Sequence, residues 1–299
     1  MKIFRELTRR NIILFFKDKG MFFTSLITPA ILLVLYATFL GNVFKDSFMT
    51  VLPEGLKLSD EILNGLVGGQ LMSSILAVSC VTVAFCSNML MVQDKVNGSI
   101  KDLTISPVKS STLALSYYFA TLVSTLIICL SATAICLVYV ASIGWFMSAC
   151  DVLMLVLDVF LLVMFGTALS SVIHFFLSSQ GQMSAVGTII SAGYGFICGA
   201  YMPISSFSEG LQKVLSFLPG TYGTSLVRSH SVRGTFEEMK SIGLPDDAIN
   251  SMKDGIDCNM YFFGREVDTS VKYLVLVLST VVLIAIYVAL NANKRKKRR

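Results

Sequence analysis

Six apolar stretches, each about as long as a lipid bilayer is thick, leave few folds open to this chain: residues 21–43, 67–92, 113–142, 152–177, 183–202 and 271–290. A hydrocarbon core of roughly 30 Å takes about 20 residues at 1.5 Å per residue. Lipid offers no partner to an open strand edge, and these runs are too long and unalternating for barrel strands, so all six are expected to be helices. The chain is therefore expected to be an all-α polytopic membrane protein with one transmembrane domain over residues 1–299. Composition agrees, because 14% of residues are charged, against about 25% in a soluble domain. The first run exceeds a signal-peptide core of about 7–15 residues and lacks a small-x-small cleavage site, so it is expected to remain as a span.

Basic residues cluster beside the spans, so the net charge of +5 sets orientation and requires no nucleic acid. Lys2, Arg5, Arg9, Arg10, Lys17 and Lys19 precede the first run and "KRKKRR" follows the last, whereas the connection 44–66 carries only Lys45 and Lys57. Both termini are expected in the cytoplasm, as is the connection between the second and third runs, with Lys95, Lys101 and Lys109. The segment 203–270 is expected outside, where long loops translocate regardless of charge.

Residues 2–17 read as an amphipathic helix, with Ile3, Phe4, Leu7, Leu14 and Phe15 on one face and Lys2, Arg5, Glu6, Arg9 and Lys17 on the other. It can lie in the headgroup plane against anionic lipid or face a cytoplasmic partner, or serve only as an orientation signal. In the outer segment, Phe207, Leu211, Val214, Leu215 and Leu218 recur at helical spacing before a Pro219-Gly220 stop. That pattern predicts a helix on or in the outer leaflet, followed by a small solvated elaboration.

Familiar catalytic patterns are missing. No G-x-x-x-x-G-K-[ST], H-E-x-x-H or G-x-S-x-G occurs, so any ATP must bind elsewhere. Five of the seven cysteines, Cys80, Cys86, Cys129, Cys136 and Cys198, fall in apolar runs at no metal-binding spacing and read as packing residues. The only histidines, His174 and His230, fall on opposite sides of the membrane in this topology, and His174 reads as a snorkelling or hydrogen-bonded residue. Asn97-Gly98-Ser99 matches a glycosylation sequon but lies on the cytoplasmic side. Asp158, about two turns inside the fourth run, has no evident intramembrane cation as partner. It is either a translocation residue or a carboxyl neutralised by a proton or a neighbouring hydroxyl.

The most informative interruption lies between the second and third runs, "VQDKVNGSIKDLTISPVKSS". Asp94, Lys95, Lys101 and Asp102 are expected in a compact turn, with Gly98 free to adopt positive φ, while Ser106-Pro107 has the form of a helix start. A short element, 97–105, is thereby held between two membrane helices with Leu103 and Ile105 among charges. It suits docking to an external machine, although an ordinary solvated loop has the same composition.

This stretch resembles the cytoplasmic coupling region of permease subunits of type-2 ATP-binding-cassette (ABC) exporters, where an acidic-basic-acidic-x-Gly turn leads through a Leu to Ser/Thr-Pro. Asp94-Lys95, Gly98, Leu103 and Ser106-Pro107 match, and Val96 departs from the second acid. "FKDKGMFFTSLITPAILLVLYATFLG" is similar to that family's interface helix and first span, and "CGAYMPISSFSEGLQKVLSFLPGTYGTSLVR" to the end of its fifth. The resemblance implies an interface helix at 1–20, spans one to five over 21–202, an external helical segment at 203–270, and span six with a basic tail at 271–299. It further implies a non-enzymatic transport subunit of the cell membrane, itself without cofactor. Two cytoplasmic ATPase subunits would carry ATP and magnesium, and a second permease copy or paralogue would complete the membrane unit. Asp94, Lys95, Asn97, Gly98, Lys101, Asp102, Leu103, Ser106, Pro107, Arg5, Glu6 and Arg9 would form the ATPase interface. Gly199, Pro203, Phe207, Leu211 and Pro219 would be external-gate candidates. The substrate would be amphiphilic: a drug, lipid or peptide.

Three rivals make different demands. An ion-coupled secondary transporter calls for several paired intramembrane ionisable groups or repeated halves. An intramembrane enzyme needs a nucleophile and base at one depth. A non-transporting scaffold or sensor that docks an ATPase shares every docking feature.

Overall fold

The structure, a computed structural model, describes residues 2–51, 58–105 and 108–296. Among these, five helices are long and apolar enough to cross a membrane: Lys19–Asp46, Asp60–Val96, Ser110–Ile143, Ala149–Phe176 and Thr269–Asn293. The run expected as the fifth span forms a shorter helix, Gln180–Ile197, and ends five residues early, where the chain turns through Gly199 at φ 75°.

Helix α1 (Lys2–Lys17) buries Asn11 and Phe15 against the bundle and leaves Arg5, Glu6 and Arg9 exposed. Asp18 separates it from α2 (Lys19–Leu35) and caps the new helix by accepting from the Met21 amide at 3.1 Å. After Pro29 the helical path continues through a π turn, Tyr36–Leu40, into α3 (Gly41–Val51), so residues 44–51 of the connection expected at 44–66 extend the first helix, while 52–57 lie outside the described residues.

The central post is α4 (Asp60–Val96), 37 residues long, capped by Ser59 and buried along nearly its whole length. At 1.5 Å per residue it is about 55 Å long, well beyond the hydrocarbon core. It packs against α2, α6 (Ser110–Ile143), α7 (Ala149–Phe176), α8 (Gln180–Ile197) and α10 (Pro219–Ser241). Leu66, Leu76, Leu155, Leu162 and Leu226 are fully buried in the core they share. The outward surface carries exposed apolar residues such as Ile135 and Val138 of α6 and Ile189 of α8, as a lipid-facing wall requires. Six of the seven cysteines are buried and unbridged, and Cys150 is exposed at the start of α7.

Beyond α8 come a short 3-10 turn at Ile204–Ser206, α9 (Glu209–Leu215), α10, α11 (Asp246–Gly255), a two-stranded hairpin of β1 (Tyr261–Phe262) and β2 (Arg265–Glu266), and α12 (Thr269–Lys296). The hairpin pairs Phe262 with Arg265, and Phe263 and Gly264 both take positive φ at its tip, the signature of a type I′ turn.

Two expectations for this region are overturned. Pro219 opens a helix as well as following one: at the first position of α10 its missing N–H leaves no bond unmade. The stretch after it does not lie apart from the membrane bundle but packs into it against α4, α7 and α12. Small residues permit this approach. A Cβ on Gly69 of α4 would stand 2.7 Å from the Ser231 carbonyl, and one on Gly234 would run into the Phe146 carbonyl.

Candidate functional site

At the end of the bundle where α1 lies, α4 terminates in two consecutive charged residues that face inward. Arg10 of α1 grips Asp94 with both guanidinium nitrogens, Nη1 to Oδ2 at 2.7 Å and Nη2 to Oδ1 at 3.1 Å. The Tyr117 hydroxyl of α6 donates to the same Oδ2 at 2.5 Å. The carboxylate bond raises the Arg10 guanidinium above its ordinary value despite partial burial, so this cation stays charged. Lys95 Nζ donates to the carbonyls of His174, Phe175 and Leu177 at 2.7, 2.8 and 2.9 Å, where α7 presents unpaired oxygens and the negative end of its dipole. One dipeptide thus fastens α1, α6 and α7 to the end of α4. The expectation that Asp94 and Lys95 stand in a compact turn is corrected: both belong to the last turn of α4, Asp94 is buried, and both side chains serve internal clamps.

Past Val96 the chain turns outward. Asn97 caps α4 and is exposed, Gly98 takes φ 81°, and a seven-residue helix, α5 (Ser99–Ile105), follows. On it Asp102 is exposed and Leu103 half-buried. The Lys101 side chain and residues Ser106 and Pro107 lie outside the described residues. Helix α6 begins at Ser110 with Lys109 as its cap, later than a start at Ser106-Pro107.

Deep between α7, α10 and α12, Asp158 has the partner that the sequence hid. His230 Nδ1 lies 2.6 Å from Asp158 Oδ2, and the Tyr273 hydroxyl donates to Oδ1 at 2.5 Å. Asp158 is therefore not without a side-chain partner, and His230 reaches it from α10, which packs into the bundle. Seven residues earlier, Asp151 helps cap α7 by accepting from the Ser148 backbone N–H at 2.9 Å, and Arg233 Nε makes an ion contact with its Oδ1 at 2.7 Å. His174, at the other end of α7, is buried against the Ser170 carbonyl at 2.8 Å, hydrogen-bonded rather than snorkelling.

Arg228, to which no pattern along the chain assigns a role, is fully buried on α10. Its Nη1 donates to the Ile256 carbonyl at 2.7 Å and Nη2 to that of Gly199 at 2.8 Å, while Asp257 stands 3.7 Å away. Asp257 Oδ2 accepts from the Ile204 amide at 2.5 Å. Burial pushes the Asp257 carboxyl above its ordinary value even with Arg228 and these amides pulling it down. Lys272 Nζ completes the region, donating to Ser225 Oγ at 2.9 Å and the Cys258 carbonyl at 2.8 Å. Of the external-gate candidates, Gly199 touches this network directly, Pro203 caps the 3-10 turn, Phe207 follows it, Leu211 is exposed on α9, and Pro219 begins α10. The run "GTYGTS", small residues just ahead of Arg228, was the available sign that this helix could pack closely.

Separate from these clusters, a groove of about 930 Å³ runs between α2, α4 and α8. Met21, Ile27, Ile31 and Met183 give it apolar walls; Thr24, Thr28, Ser184 and Thr188 add hydroxyls, and Asp18 and Gln93 stand toward the α1 end. Its lining does not include Asp158, His230 or Lys272.

Comparison with curated proteins returns no match. A family model described as "ABC-2 type transporter" matches residues 3–230, from α1 into α10, and so takes in the Arg10–Asp94 clamp, α5, the groove and His230. This multi-pass membrane protein belongs to the ABC-2 type transporter family.

Proposed function

We propose that the chain is the transmembrane subunit of a plasma-membrane exporter that uses ATP hydrolysis in separate nucleotide-binding subunits to expel an amphiphilic substrate. Both termini, α1 and α5 face the cytoplasm in this reading. Two ATPases dock on a permease dimer formed with an identical copy or a paralogue. The reading is supported above all by the Asp94-Lys95 clamp. A push on α5 or on the exposed Arg5, Glu6 and Arg9 reaches α1, α4, α6 and α7 as one body, because charged hydrogen bonds tie them at one level.

The contact surface on this reading comprises Asn97, Gly98, Lys101, Asp102, Leu103, Ser106 and Pro107 with Arg5, Glu6 and Arg9, while Asp94 and Lys95 act behind it as positioning residues. The substrate path is the groove between α2, α4 and α8, closed by a second permease across the membrane plane. Its apolar walls and scattered hydroxyls suit an amphiphile better than a bare ion. Gly199, Pro203, Phe207, Leu211 and Pro219 flank its external exit. The chain performs no chemistry of its own; ATP and magnesium belong to the partner.

Secondary transport draws on one observation, the buried Asp158–His230 pair. Its groups are bonded to one another and stand apart from the groove, which favours a structural role.

Copurification with an ATPase and loss of stimulated ATP turnover in Leu103→Asp support the exporter. Solute flux by the chain alone, without any nucleotide-hydrolysing companion, overturns it. Orientation is tested through Cys150, exposed while the other cysteines are buried: a membrane-impermeant maleimide should label it on intact cells, and labelling only after lysis reverses the topology.

A further inference from the structure

Between α9, α10 and the hairpin lies a second cavity of about 510 Å³, at the end of the bundle opposite α1 and separate from the membrane groove. Its charged lining consists of Glu209, Lys213, Arg228, Asp254 and Asp257. Arg228 and Asp257 are spent on each other and on backbone groups. That leaves two carboxylates, Glu209 and Asp254, facing one ammonium, Lys213, which is exposed on α9.

Asp254 is held in place. Its Oδ1 accepts from Asn259 Nδ2 at 2.8 Å and from the Tyr261 hydroxyl at 3.0 Å, which leaves Oδ2 for another partner. Beside it stand the rings of Tyr261 and Phe263, 45% and 58% exposed, so apolar and π surface is presented to the cavity rather than consumed in a core. Phe217 and Phe262 pack edge-on against Phe263 at 5.8 and 4.9 Å between centroids and stiffen that wall. A fixed carboxylate next to accessible aromatic faces, with an excess of negative charge, is the chemistry that recognises an alkylated ammonium.

We propose that this cavity binds an organic ammonium ion, with its cationic head against Asp254 and Tyr261 and its apolar substituent along Phe263. Glu209 adds to the field at the mouth, and Lys213 limits it. An anion meets two carboxylates there, and a neutral ligand of equal size gains only the aromatic contact.

The site needs neither nucleotide nor an ATPase, so it is tested on the permease alone in lipid nanodiscs, independently of the exporter reading. Saturation-transfer NMR with benzyltrimethylammonium, benzyl alcohol and benzoate compares one ring carrying three heads. Binding of the ammonium is expected at least about fivefold above that of the other two. It should fall by a similar factor in Phe263→Ser and Asp254→Asn, and rise in Lys213→Glu. Phe263 and Lys213 are exposed, so those two variants keep the test decisive should Asp254→Asn disturb the hairpin. Equal signals from the three ligands, or ammonium binding indifferent to Phe263→Ser and Lys213→Glu, overturn the proposal.

Discussion

Arg10 and Asp94, 84 residues apart in sequence, meet in a two-point salt bridge that joins the amphipathic N-terminal helix to the last turn of the central helix. Tyr117 adds a third element to the same carboxylate. The bridge is asymmetric in exposure: the Arg10 side chain is 33% exposed and that of Asp94 only 7%. Loss of the arginine therefore strands a buried anion, whereas loss of the aspartate frees a cation that can turn to water.

Arg10→Ala is expected to destabilise the protein by about 1–3 kcal/mol, less than a fully buried pair because solvent screens Arg10. Arg10→Lys should recover only part, since an ammonium cannot make both bonds at once. Thermal midpoints in detergent give the stability. Coupling of ATPase turnover to transport should fall more in Arg10→Ala than in Lys17→Ala, whose parent side chain is exposed on the same helix and outside the proposed contact surface. Equal effects at positions 10 and 17 would remove the clamp from the mechanism.

Asp158 anchors α10 and α12 to α7, so Asp158→Ala leaves the Tyr273 hydroxyl and His230 without their acceptor, at about 1–3 kcal/mol for each stranded group. Folded yield and thermal midpoint should drop, and His230→Ala should change little further in the Asp158→Ala background. A variant that folds normally yet loses transport would instead mark Asp158 as a transport residue.

Arg228→Met preserves bulk and removes the donors to the Gly199 and Ile256 carbonyls. Hydrogen exchange is expected to rise across 199–206 and 254–262 more than in α4 and α6, because the two short bonds lost hold the outer loops, whereas the Nε contact to Ser73 of α4 is longer, at 3.4 Å, and reaches a side chain of a helix whose backbone bonds stay intact. Uniform protection across both loops would show that their packing alone suffices.

Asp257 gives the outer segment a pH dependence. Its folded carboxyl is raised from an ordinary 3.8 by burial, so its contribution favours the folded state fully below the unfolded value and is lost as pH rises through the folded one. The stability difference between the wild type and Asp257→Asn should shift toward the wild type on acidification and be flat above the raised value. A thermal-midpoint series on both proteins checks this, and a difference independent of pH would contradict it.

Local pattern made part of the coupling region legible. Gly98 does take positive φ, since such a reversal depends on a few adjacent residues, and the short element expected between the second and third spans is present as the seven-residue helix α5. The inward turn of Asp94 and Lys95 was not legible. Charge beside an apolar run reads as solvated unless its partners are known, and Arg10 and the end of α7 lie some 80 residues away in either direction.

By itself the sequence determined that the chain is helical and lives in a bilayer, because twenty apolar residues in a row have few other stable environments. It also determined where α1 is amphipathic. Only the tertiary structure decided that Pro219–Ser241, too polar to register as a span, enters the bundle. Hydropathy sums over neighbours along the chain, whereas α10 is held by glycine contacts and by bonds such as His230 to Asp158, 72 residues distant, which exist only once the helices have packed.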